Sequence, residues 1–292
     1  MNVLVTGGAG FIGTNLIKRL LDDGHSVISF DNYTTGKKEN EQDSCEYIEC
    51  DITDNYDVQK HLLNKNIDII YHLAALARIQ PSFKNPTNTF KTNVIGTMNI
   101  MEWAKNNNCP VIYAGSSSKH GGIFKNPYTF TKHQGEEVVE MYNRVYGVPA
   151  AICRFYNVYG PYQLTEGEYC TVIGIFENQY KNKEELTITG NGEQRRDFTH
   201  VFDIVDGFVK CGEQLDKVSG EVFELGRGEN YSINVIAQSF DSGYTYIPKR
   251  PGEVQETLCT DTKARELLGW NPTIDILDYI EGIRVNNEIS NN

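Results

Sequence analysis

The feature that most constrains the fold is a glycine turn between an apolar run and an amphipathic pattern near the start of the chain. The run Val3 to Thr6 has the composition of a buried strand, and Gly7, Gly10 and Gly13 follow it. Apolar residues then recur at helical intervals from Leu16 to Leu21. In such a turn the first glycine permits the bend, the second lets backbone amides approach a pyrophosphate, and the third allows close helix packing. The pattern predicts a dinucleotide-binding α/β fold.

A second predicted strand, Ser26 to Phe30, ends at the acidic residue Asp31. A dinucleotide fold places at about this position the carboxylate that accepts the hydroxyl groups of the adenosine ribose. Because NADP carries a phosphate on that ribose, a carboxylate here favours NAD. The strand, turn, helix and acidic residue together predict NAD as the cofactor.

Tyr128 and Lys132 stand four residues apart, so a helix would place them on one face. A phenol is a weak base near neutral pH, but an adjacent positive charge favours the phenolate and lowers the phenol pKa. We therefore expect Lys132 to activate Tyr128 as a proton acceptor. The spacing alone is common on solvated helices, and the other motifs of the chain give it weight.

Strand and helix patterns alternate through the first half of the chain, which predicts a Rossmann-type, doubly wound parallel sheet. Ligands bind beyond the carboxyl ends of the strands in such a sheet, so the segments that follow the predicted strands form the candidate site. After Pro161 the alternation fades. We predict an NAD-binding domain at residues 1–160, with a return to the sheet at about 196–225. The remaining residues, 161–195 and 226–292, would form a smaller mixed α/β substrate domain.

Composition excludes several classes of function. The 292 residues carry a net charge of −12, which argues against a nucleic-acid partner because such proteins present basic surfaces. The first predicted strand begins at Asn2 and no apolar stretch approaches membrane-spanning length, so we expect neither a signal peptide nor a membrane partner. The seven cysteines are odd in number, without a CxxC pair, and the six histidines show no ligand spacing. We expect a cytoplasmic protein with reduced thiols and no metal site.

Further motifs accompany the glycine turn in order along the chain. They are Asp31-Asn32, Asp51-Ile52, His72-Leu73-Ala74-Ala75, Asn93, Ser116-Ser117-Ser118, Tyr128 with Lys132, Arg154 to Pro161, Arg196-Asp197-Phe198 and Arg250-Pro251-Gly252-Glu253. This set resembles the extended short-chain dehydrogenase/reductases, and within them the NAD-dependent sugar-nucleotide epimerase/dehydratase family. The resemblance covers nearly the whole chain.

The resemblance implies a cofactor site and a substrate site. Asp51 and Ile52 would hold the adenine ring. Ala74 and Ala75 would pass under the cofactor, and Lys132 would also bind the nicotinamide ribose. The implied cofactor contacts are Gly7, Gly10, Phe11, Ile12, Gly13, Asp31, Asn32, Asp51, Ile52, Leu73, Ala74, Ala75, Asn93, Tyr128, Lys132 and Tyr156. The implied substrate contacts are Ser117, Asn157, Arg196, Arg250 and Thr257, of which the asparagine and the arginines would bind the nucleotide diphosphate.

The resemblance also implies the chemistry. Tyr128 would take the proton from a sugar hydroxyl while hydride passes to NAD, which gives a keto sugar. Ser118 would bridge Tyr128 and the substrate oxygen, with Ser117 as the alternative. Dehydratases of this family place carboxylates directly after the catalytic Ser or Thr, because eliminating water needs an extra acid and base, and decarboxylating relatives use a glutamate there. Lys119 and His120 stand there instead, which favours a 4-epimerase acting on a UDP-hexose.

Two segments depart from the family pattern. The loop from Lys119 to Pro127 and the stretch from Ile233 to Pro248 are both shorter than their family counterparts, so the pocket wall and the cover over the sugar would be thinner. Two alternatives therefore stay open: a nucleotide-sugar 4,6-dehydratase or ketoreductase with displaced acid groups, and a non-catalytic NAD-binding sensor.

The family also implies a homodimer and a range of sugars. Family members pair through two helices, here about Thr89 to Asn106 and Tyr128 to Tyr146. The apolar residues expected on these helices beyond one sheet face are Val94, Ile95, Met98, Met101, Val138, Val139 and Met141. Thr257, or Leu258 after a slip of one residue, stands at the position that limits room around the sugar's second carbon. A small threonine there implies that UDP-N-acetylhexosamines are accepted as well as UDP-hexoses.

Overall fold

The computed structural model of the chain describes residues 1–290. The strands are Asn2–Thr6 (β1), Ser26–Asp31 (β2), Cys45–Glu49 (β3), Ile69–His72 (β4), Val111–Ser116 (β5), Ala150–Phe155 (β6), Val158–Tyr159 (β7), Leu186–Thr189 (β8), Arg195–Asp197 (β9), Thr199–His200 (β10), Val222–Leu225 (β11), Asn230–Ser232 (β12) and Tyr244–Ile247 (β13). The helices are Phe11–Asp22 (α1), Asn55–Leu62 (α2), Ile79–Lys84 (α3), Pro86–Phe90 (α4), Thr97–Asn107 (α5), Pro127–Tyr146 (α6), Val172–Lys181 (α7), Val201–Glu213 (α8), Leu215–Val218 (α9), Ile233–Ser239 (α10), Lys263–Leu268 (α11) and Ile276–Ser290 (α12).

Seven strands form one parallel sheet in the order β11-β6-β5-β4-β1-β2-β3, which confirms the predicted doubly wound fold. The strand order reverses between β1 and β4, where Thr6 lies opposite His72. Gly7 and Leu73 directly follow β1 and β4, and Asp31 is the last residue of β2, so all three lie at the carboxyl edge on either side of this reversal. In a doubly wound sheet this is the place where ligands bind.

Each face of the sheet is covered by its own apolar cluster. Alternate residues of β1 face opposite sides: Val3 and Val5 pack with α1 and α8, whereas Leu4 packs with α5 and α6. Because both faces are covered, the strands read as continuous apolar runs rather than as alternating ones. Leu16 of α1 and Trp103 of α5 are both buried in these clusters.

A third apolar cluster holds the smaller part of the molecule together, with Phe176 of α7, Phe240 after α10 and Ile276 of α12 as members. In this part β8 pairs with β13 in parallel and β9 pairs with β12 antiparallel. The segment before Leu258 runs alongside β9, where the amide of Asp197 donates to the carbonyl oxygen of Thr257 at 3.1 Å. This pairing fixes Thr257 beside the arginines of β9.

The predicted helix from Thr89 to Asn106 is interrupted in the structure. Residues Pro86–Phe90 and Thr97–Asn107 are α-helical, and the turn between them, Lys91–Gly96, is a π-helix. π-Helical turns in otherwise α-helical segments occur frequently at functional sites. This one carries Asn93, which binds the backbone of the loop after β4.

Within residues 1–290, no helix is long and apolar enough to span a membrane. All seven cysteines are free thiols. The same residues contain no cluster of His, Cys, Asp and Glu side chains that could hold a metal ion.

Candidate active site

A cavity of about 600 Å³ opens at the carboxyl edge of the sheet, below the smaller part of the molecule. This volume is in the range of ordinary small-molecule sites. The predicted site residues that line it are Gly7, Gly10, Phe11, Ile12, Gly13, Asp31, Asn32, Asp51, Ile52, Leu73, Ala74, Ala75, Ser117, Ser118, Tyr128, Lys132, Asn157, Arg196, Arg250 and Thr257. Residues from the two ends of the chain thus meet around one cavity.

The glycine turn leaves space where a side chain would intrude. Gly7 has φ +73°, and a Cβ on it would lie 2.9 Å from the amide nitrogen of Ala74. A Cβ on Gly13 would overlap the carbonyl oxygen of Gly7, so only glycine lets α1 approach β1 this closely. A Cβ on Gly10, the N-cap of α1, would meet only that same oxygen, at 3.3 Å. The open side of Gly10 and the start of α1 therefore form a cradle that fits a pyrophosphate.

Asp31 lies buried at the end of β2, where its carboxylate accepts the amides of Ala9 at 3.0 Å and Tyr33 at 2.8 Å. Burial raises its pKa, and the two backbone hydrogen bonds oppose that rise. The same carboxylate therefore fixes the glycine turn and lines the cavity. Together with Asp51 and Ile52 on the adjacent wall, it forms an end of the cavity that fits the adenosine of NAD.

Tyr128 is the second residue of α6, and its side chain lines the cavity. The side chain of Asn126 caps this helix by accepting the amide of Thr129 at 2.8 Å. The Tyr128 hydroxyl lies 3.2 Å from Oγ of Ser116, and Ser116 Oγ lies 2.9 Å from Oγ of Ser118. Three hydroxyl groups therefore form a continuous hydrogen-bonded chain at the end of β5.

The structure corrects the predicted order of these hydroxyls. Ser116, which the sequence analysis did not select, contacts Tyr128 directly, whereas Ser118 is one hydrogen bond further away. The reason is a tight turn: Ser117–Gly121 forms a 3₁₀-helix whose N-cap, Ser116, accepts the amide of Ser118 at 3.3 Å. This turn brings the two outer serines of the run together. Ser117 lines the cavity beside them.

Lys132 lines the same cavity as Tyr128 and is held by two neighbours from β5. Its ammonium group donates to the hydroxyl of Tyr113 at 2.9 Å and to the carbonyl oxygen of Ala114 at 2.6 Å. Burial lowers the Lys132 pKa to about 8, and the charge of Glu136 opposes this shift.

The pKa of Tyr128 is raised, not lowered as expected, because the phenol is buried. The hydrogen bond from Ser116 and the charge of Arg78 both act in the opposite direction and lower it. Arg78 is a cavity residue that the sequence analysis did not select. Its isolated position after the Leu73-Ala74-Ala75 motif gave no spacing signal.

Two predicted cofactor contacts, Asn93 and Tyr156, do not line the cavity. The side chain of Asn93 is buried behind the wall, where it accepts the amide of Leu76 at 2.8 Å and donates to the Leu76 carbonyl at 3.2 Å. It therefore shapes the loop after β4. Tyr156 is also buried, and its neighbour Phe155 lines the cavity instead. Successive residues of an extended chain face opposite sides, so an alignment that is wrong by one residue selects Tyr156 instead of Phe155.

The far end of the cavity carries the predicted substrate contacts. Arg196 is partly buried and Arg250 is exposed, and both line the cavity. The amide of Asn157 donates to the hydroxyl of Thr257 at 2.9 Å. Leu258 is 41% exposed and is not part of the described cavity wall, so the geometry favours Thr257 as the residue that faces a substrate.

Lys119 and His120, which follow the serine run, bind carboxylates behind the cavity. Lys119 pairs with Glu136 at 3.4 Å and His120 with Glu224 at 2.9 Å. Arg154 joins both carboxylates at 2.8 Å. The four acidic residues among the described lining residues, Asp31, Asp51, Glu168 and Glu253, all lie elsewhere in the chain. The serine run is therefore not followed by an acid that could assist elimination.

The loop after the serine run is short, as the sequence indicates, but the C-terminal part of the chain packs against it. Gly121 lies so close to Val254 that a Cβ would overlap that side chain. Asn126 donates to the carbonyl oxygen of Gly252 at 3.4 Å. Residues 252–254 thus complete the wall that this loop forms only in part.

Comparison with known proteins agrees with this geometry. The sequence profile of the NAD dependent epimerase/dehydratase family matches residues 3–226. A UDP-glucose 4-epimerase of Mycolicibacterium smegmatis is 30% identical over 96% of each chain.

Two solved structures also match over nearly their whole lengths. The UDP-glucuronic acid 4-epimerase of Bacillus cereus, in complex with UDP-glucuronic acid and NAD, is 29% identical with a TM-score of 0.89, covering 99% of this chain and 100% of that one. The UDP-N-acetylglucosamine 4-epimerase of Methanobrevibacter ruminantium, in complex with UDP-N-acetylmuramic acid, is 29% identical with a TM-score of 0.87, covering 100% of this chain and 99% of that one.

These relatives share one reaction type and differ in the sugar that they are named for. The matched profile spans the glycine turn, the serine run and the Tyr128 and Lys132 pair, which are also the residues that surround the cavity. The chain therefore belongs to the NAD-dependent epimerase/dehydratase family.

Proposed function

We propose that this protein is an NAD-dependent epimerase that inverts C4 of a UDP-hexose through a transient 4-keto sugar. The observation that carries the proposal is the hydroxyl chain from Tyr128 through Ser116 to Ser118, which lies in one cavity with the glycine turn and Lys132. The absence of an acid after the serine run, within the described residues, favours epimerisation over elimination of water.

NAD, when bound, accepts a hydride from the sugar carbon and returns it. The part of this chain is to move and hold protons. Tyr128 accepts the proton of the C4 hydroxyl, and Ser116 and Ser118 hold the phenol and the sugar oxygen in line by hydrogen bonding. After the keto sugar rotates within the cavity and presents the other face of C4 to the nicotinamide end, Tyr128 returns the proton to the C4 oxygen. Lys132, fixed by Tyr113 and Ala114, supplies positive charge beside the nicotinamide end.

We propose that Arg196 and Arg250 bind the diphosphate of the nucleotide sugar. Both cations line the end of the cavity opposite the glycine turn. Burial lowers the pKa of Arg196, and the nearby charge of Glu253 opposes that shift. A guanidinium binds an anion with several acceptor oxygens especially well, because such an anion can accept bidentate hydrogen bonds. Asn157 and Thr257 then border the sugar.

The chain divides, in this proposal, into an NAD-binding part and a substrate-binding part. Residues 1–160 with 196–225 bind the cofactor, and residues 161–195 with 226–292 bind the substrate. Support comes from β11, which pairs with β6 in the large sheet, and from the separate apolar cluster around Phe176 and Phe240. The active site then lies between the two parts.

We also propose a cytoplasmic homodimer. The free thiols of all seven cysteines suit a reducing compartment. Ile95, Met98 and Met141 are 38%, 38% and 37% exposed on the two helices that the family uses for pairing. Val94, Met101 and Val139, which were expected on the same surface, are instead buried in the monomer core. The second copy would therefore cover a narrower surface than the sequence indicates.

The dimer is tested by light scattering at micromolar concentration. Met98→Glu should convert the dimer to a monomer, because the carboxylate would have to be buried at the interface. Val285→Glu is the matched control, since Val285 is 49% exposed on the distant helix α12. A wild-type mass of one chain would contradict the homodimer.

The function is tested by incubating the purified protein, without added cofactor, with UDP-glucose, UDP-galactose and their N-acetylated forms, followed by product NMR. We expect interconversion of at least one C4-epimer pair and no net change of oxidation state.

Tyr128→Phe should lose at least a thousandfold in rate, because the proton acceptor is removed, and should keep bound NAD. A 4-keto-6-deoxy product would indicate a dehydratase. A requirement for external NADPH in each turnover would indicate a reductase.

A further inference from the structure

Arg78 is a cation of the cavity besides Lys132 and the arginines assigned to the diphosphate. Arg78 precedes α3 as its N-cap and lines the cavity. Its Nε donates to the carbonyl oxygen of Tyr169 at 2.5 Å, and its Nη1 donates to the carbonyl oxygen of Ala77 at 2.7 Å. These two backbone oxygens hold the guanidinium in one position, and they carry no net charge.

Arg78 is partly buried, and a cation withdrawn from solvent is ordinarily paired with an anion. Among residues 1–290, no carboxylate forms an ion pair with Arg78. Three of the acidic residues that line the cavity are engaged elsewhere. Glu168 is paired with Lys84, Asp31 accepts backbone amides, and Glu253 lies near Arg196. Within the described residues, Arg78 is therefore held by backbone oxygens and not by a carboxylate.

Three weakly acidic side chains lie near Arg78, and a charge on Tyr128 would raise the Arg78 pKa more than one on Cys170 or Tyr169. Helix α3, which begins directly after Arg78, is bonded to the start of α6, because the amide of Tyr128 donates to Oγ of Ser82 at 3.1 Å. Ser82 in turn donates to the carbonyl oxygen of Ile79 at 2.6 Å. The start of α6 is thus held against α3, and the side chains of Arg78 and Tyr128 line the same cavity.

The charged groups around Tyr128 act in different directions. From its own helix, the negative charge of Glu136 raises the Tyr128 pKa, and Lys132 is fixed by hydrogen bonds to Tyr113 and Ala114. From the end of β5, the hydrogen bond with Ser116 lowers the Tyr128 pKa, and from the start of α3 the charge of Arg78 lowers it too. Tyr113 is buried and its own pKa is raised, so it stays neutral.

We propose that Arg78 is a positioning residue that stabilises the phenolate of Tyr128, as a second cation besides Lys132, and so extends proton transfer to lower pH. The proposal rests on the function proposed for Tyr128 as the proton acceptor. Favouring the phenolate increases the fraction of active base at any pH below the pKa of the phenol. Removing Arg78 therefore reduces the rate most at the acid end of the pH profile and least at the alkaline end.

The test uses the NAD-loaded protein and the variants Arg78→Met, Arg78→Gln, Arg78→Lys and Lys84→Met. Lys84 is the matched control because it is an exposed cation of α3 whose partner Glu168 stands beside Tyr169, the residue that holds Arg78. The first readout is the ultraviolet titration of tyrosinate, taken as the difference between each variant and the same variant carrying Tyr128→Phe. This readout does not depend on turnover, so it tests Arg78 even if the substrate differs from the one proposed. The second readout is the pH profile of kcat/KM.

For the neutral variants Arg78→Met and Arg78→Gln, we expect the Tyr128 titration to move to higher pH. The rate at the acid end should fall roughly tenfold relative to wild type, with convergence at alkaline pH. Arg78→Lys should lie between them and wild type, and Lys84→Met should leave both profiles in place. Three results would overturn the proposal: an equal loss at every pH, the same shift in Lys84→Met, or an unmoved titration with a loss confined to sugars that carry a carboxylate. The last result would assign Arg78 to substrate binding.

Discussion

The two ends of the cavity are built in different ways. At the cofactor end, backbone atoms of the glycine turn form the wall, and the buried Asp31 is fixed by two backbone amides. At the substrate end, the wall consists of long side chains such as Arg196 and Arg250, which come from β9 and from the segment after β13. The first end depends on the close approach of main chains. The second depends on side chains that distant segments bring together.

This difference indicates how each end tolerates change. A wall formed by backbone atoms cannot accommodate an added side chain. A single Cβ at one of these glycines would overlap main-chain atoms that cannot move independently. A side-chain wall can lose or exchange one member and keep its fold. Substitutions at the cofactor end should therefore affect folding and NAD binding together, whereas those at the substrate end should affect substrate binding alone.

The largest effect is expected for Gly13→Val. Its Cβ would overlap the carbonyl oxygen of Gly7, which should cost about 2–4 kcal/mol of folding free energy and remove NAD from the purified protein. Thermal unfolding and the absorbance of released cofactor measure the two losses. Gly282→Ala is the control, since a Cβ at Gly282 meets nothing within 4 Å. In the α12 interior it should stabilise by about 0.5–1 kcal/mol. Retention of NAD by Gly13→Val would contradict the rigid cradle.

Arg196→Met should act on the substrate end alone. We expect KM for the nucleotide sugar to rise roughly tenfold to a hundredfold, because a charge-assisted hydrogen bond to the diphosphate is lost, and NAD affinity to stay unchanged. Arg195→Met is the matched control, because the Arg195 guanidinium binds Asn230 at 2.6 Å on the other side of β9. Steady-state kinetics and calorimetry with NAD separate the two ends. Equal KM changes in both variants would remove Arg196 from the diphosphate site.

Asp31→Asn should narrow the preference for NAD over NADP by roughly tenfold, since a like charge next to the 2′-phosphate is removed. The ratio of the two affinities is the quantity to measure by calorimetry. The Asp31 carboxylate accepts two backbone amides, and asparagine would hold the glycine turn less firmly. That change would weaken the binding of both cofactors alike, so it cancels in the ratio. Equal affinity of the wild-type protein for both cofactors would contradict the role of Asp31.

The smallest effect is expected for Thr257→Tyr, which should lower the activity on UDP-N-acetylhexosamine relative to UDP-hexose by a few-fold up to about tenfold. The added ring takes room beside the sugar's second carbon. Thr257→Val is the control, because it removes the hydroxyl that accepts Asn157 and adds no bulk. An unchanged ratio of the two activities in Thr257→Tyr would show that Thr257 does not border the sugar.

Most of the cofactor end could be predicted from the sequence. The positions of Gly7, Gly10 and Gly13 follow from local sterics, and Asp31 follows from its place at the end of a strand. These residues lie close together in the sequence, near one strand-turn-helix unit, so their pattern can be recognised without knowledge of the tertiary structure. The helical spacing of Tyr128 and Lys132 is local in the same sense, and both residues do line the cavity.

Other features were decided only by tertiary structure. Phe155 lines the cavity in place of Tyr156. Which of two successive residues faces the cavity depends on the register of the strand, and a sequence motif does not specify that register. The contact of Ser116 with Tyr128 depends on how the turn after β5 closes. Arg78 comes to line the same cavity as Tyr128 because α3 packs against the start of α6.

The sequence by itself therefore determined the fold class, the cofactor and the pairing of Tyr128 with Lys132 on the cavity wall, because backbone sterics and helical periodicity act between near neighbours. Tertiary structure decided which hydroxyl touches the phenol and which side chains line the cavity beside it. These depend on distances between Arg78, Ser116, Tyr128 and Thr257, residues that are far apart in the chain and meet only when the sheet and the smaller part of the molecule close around one cavity.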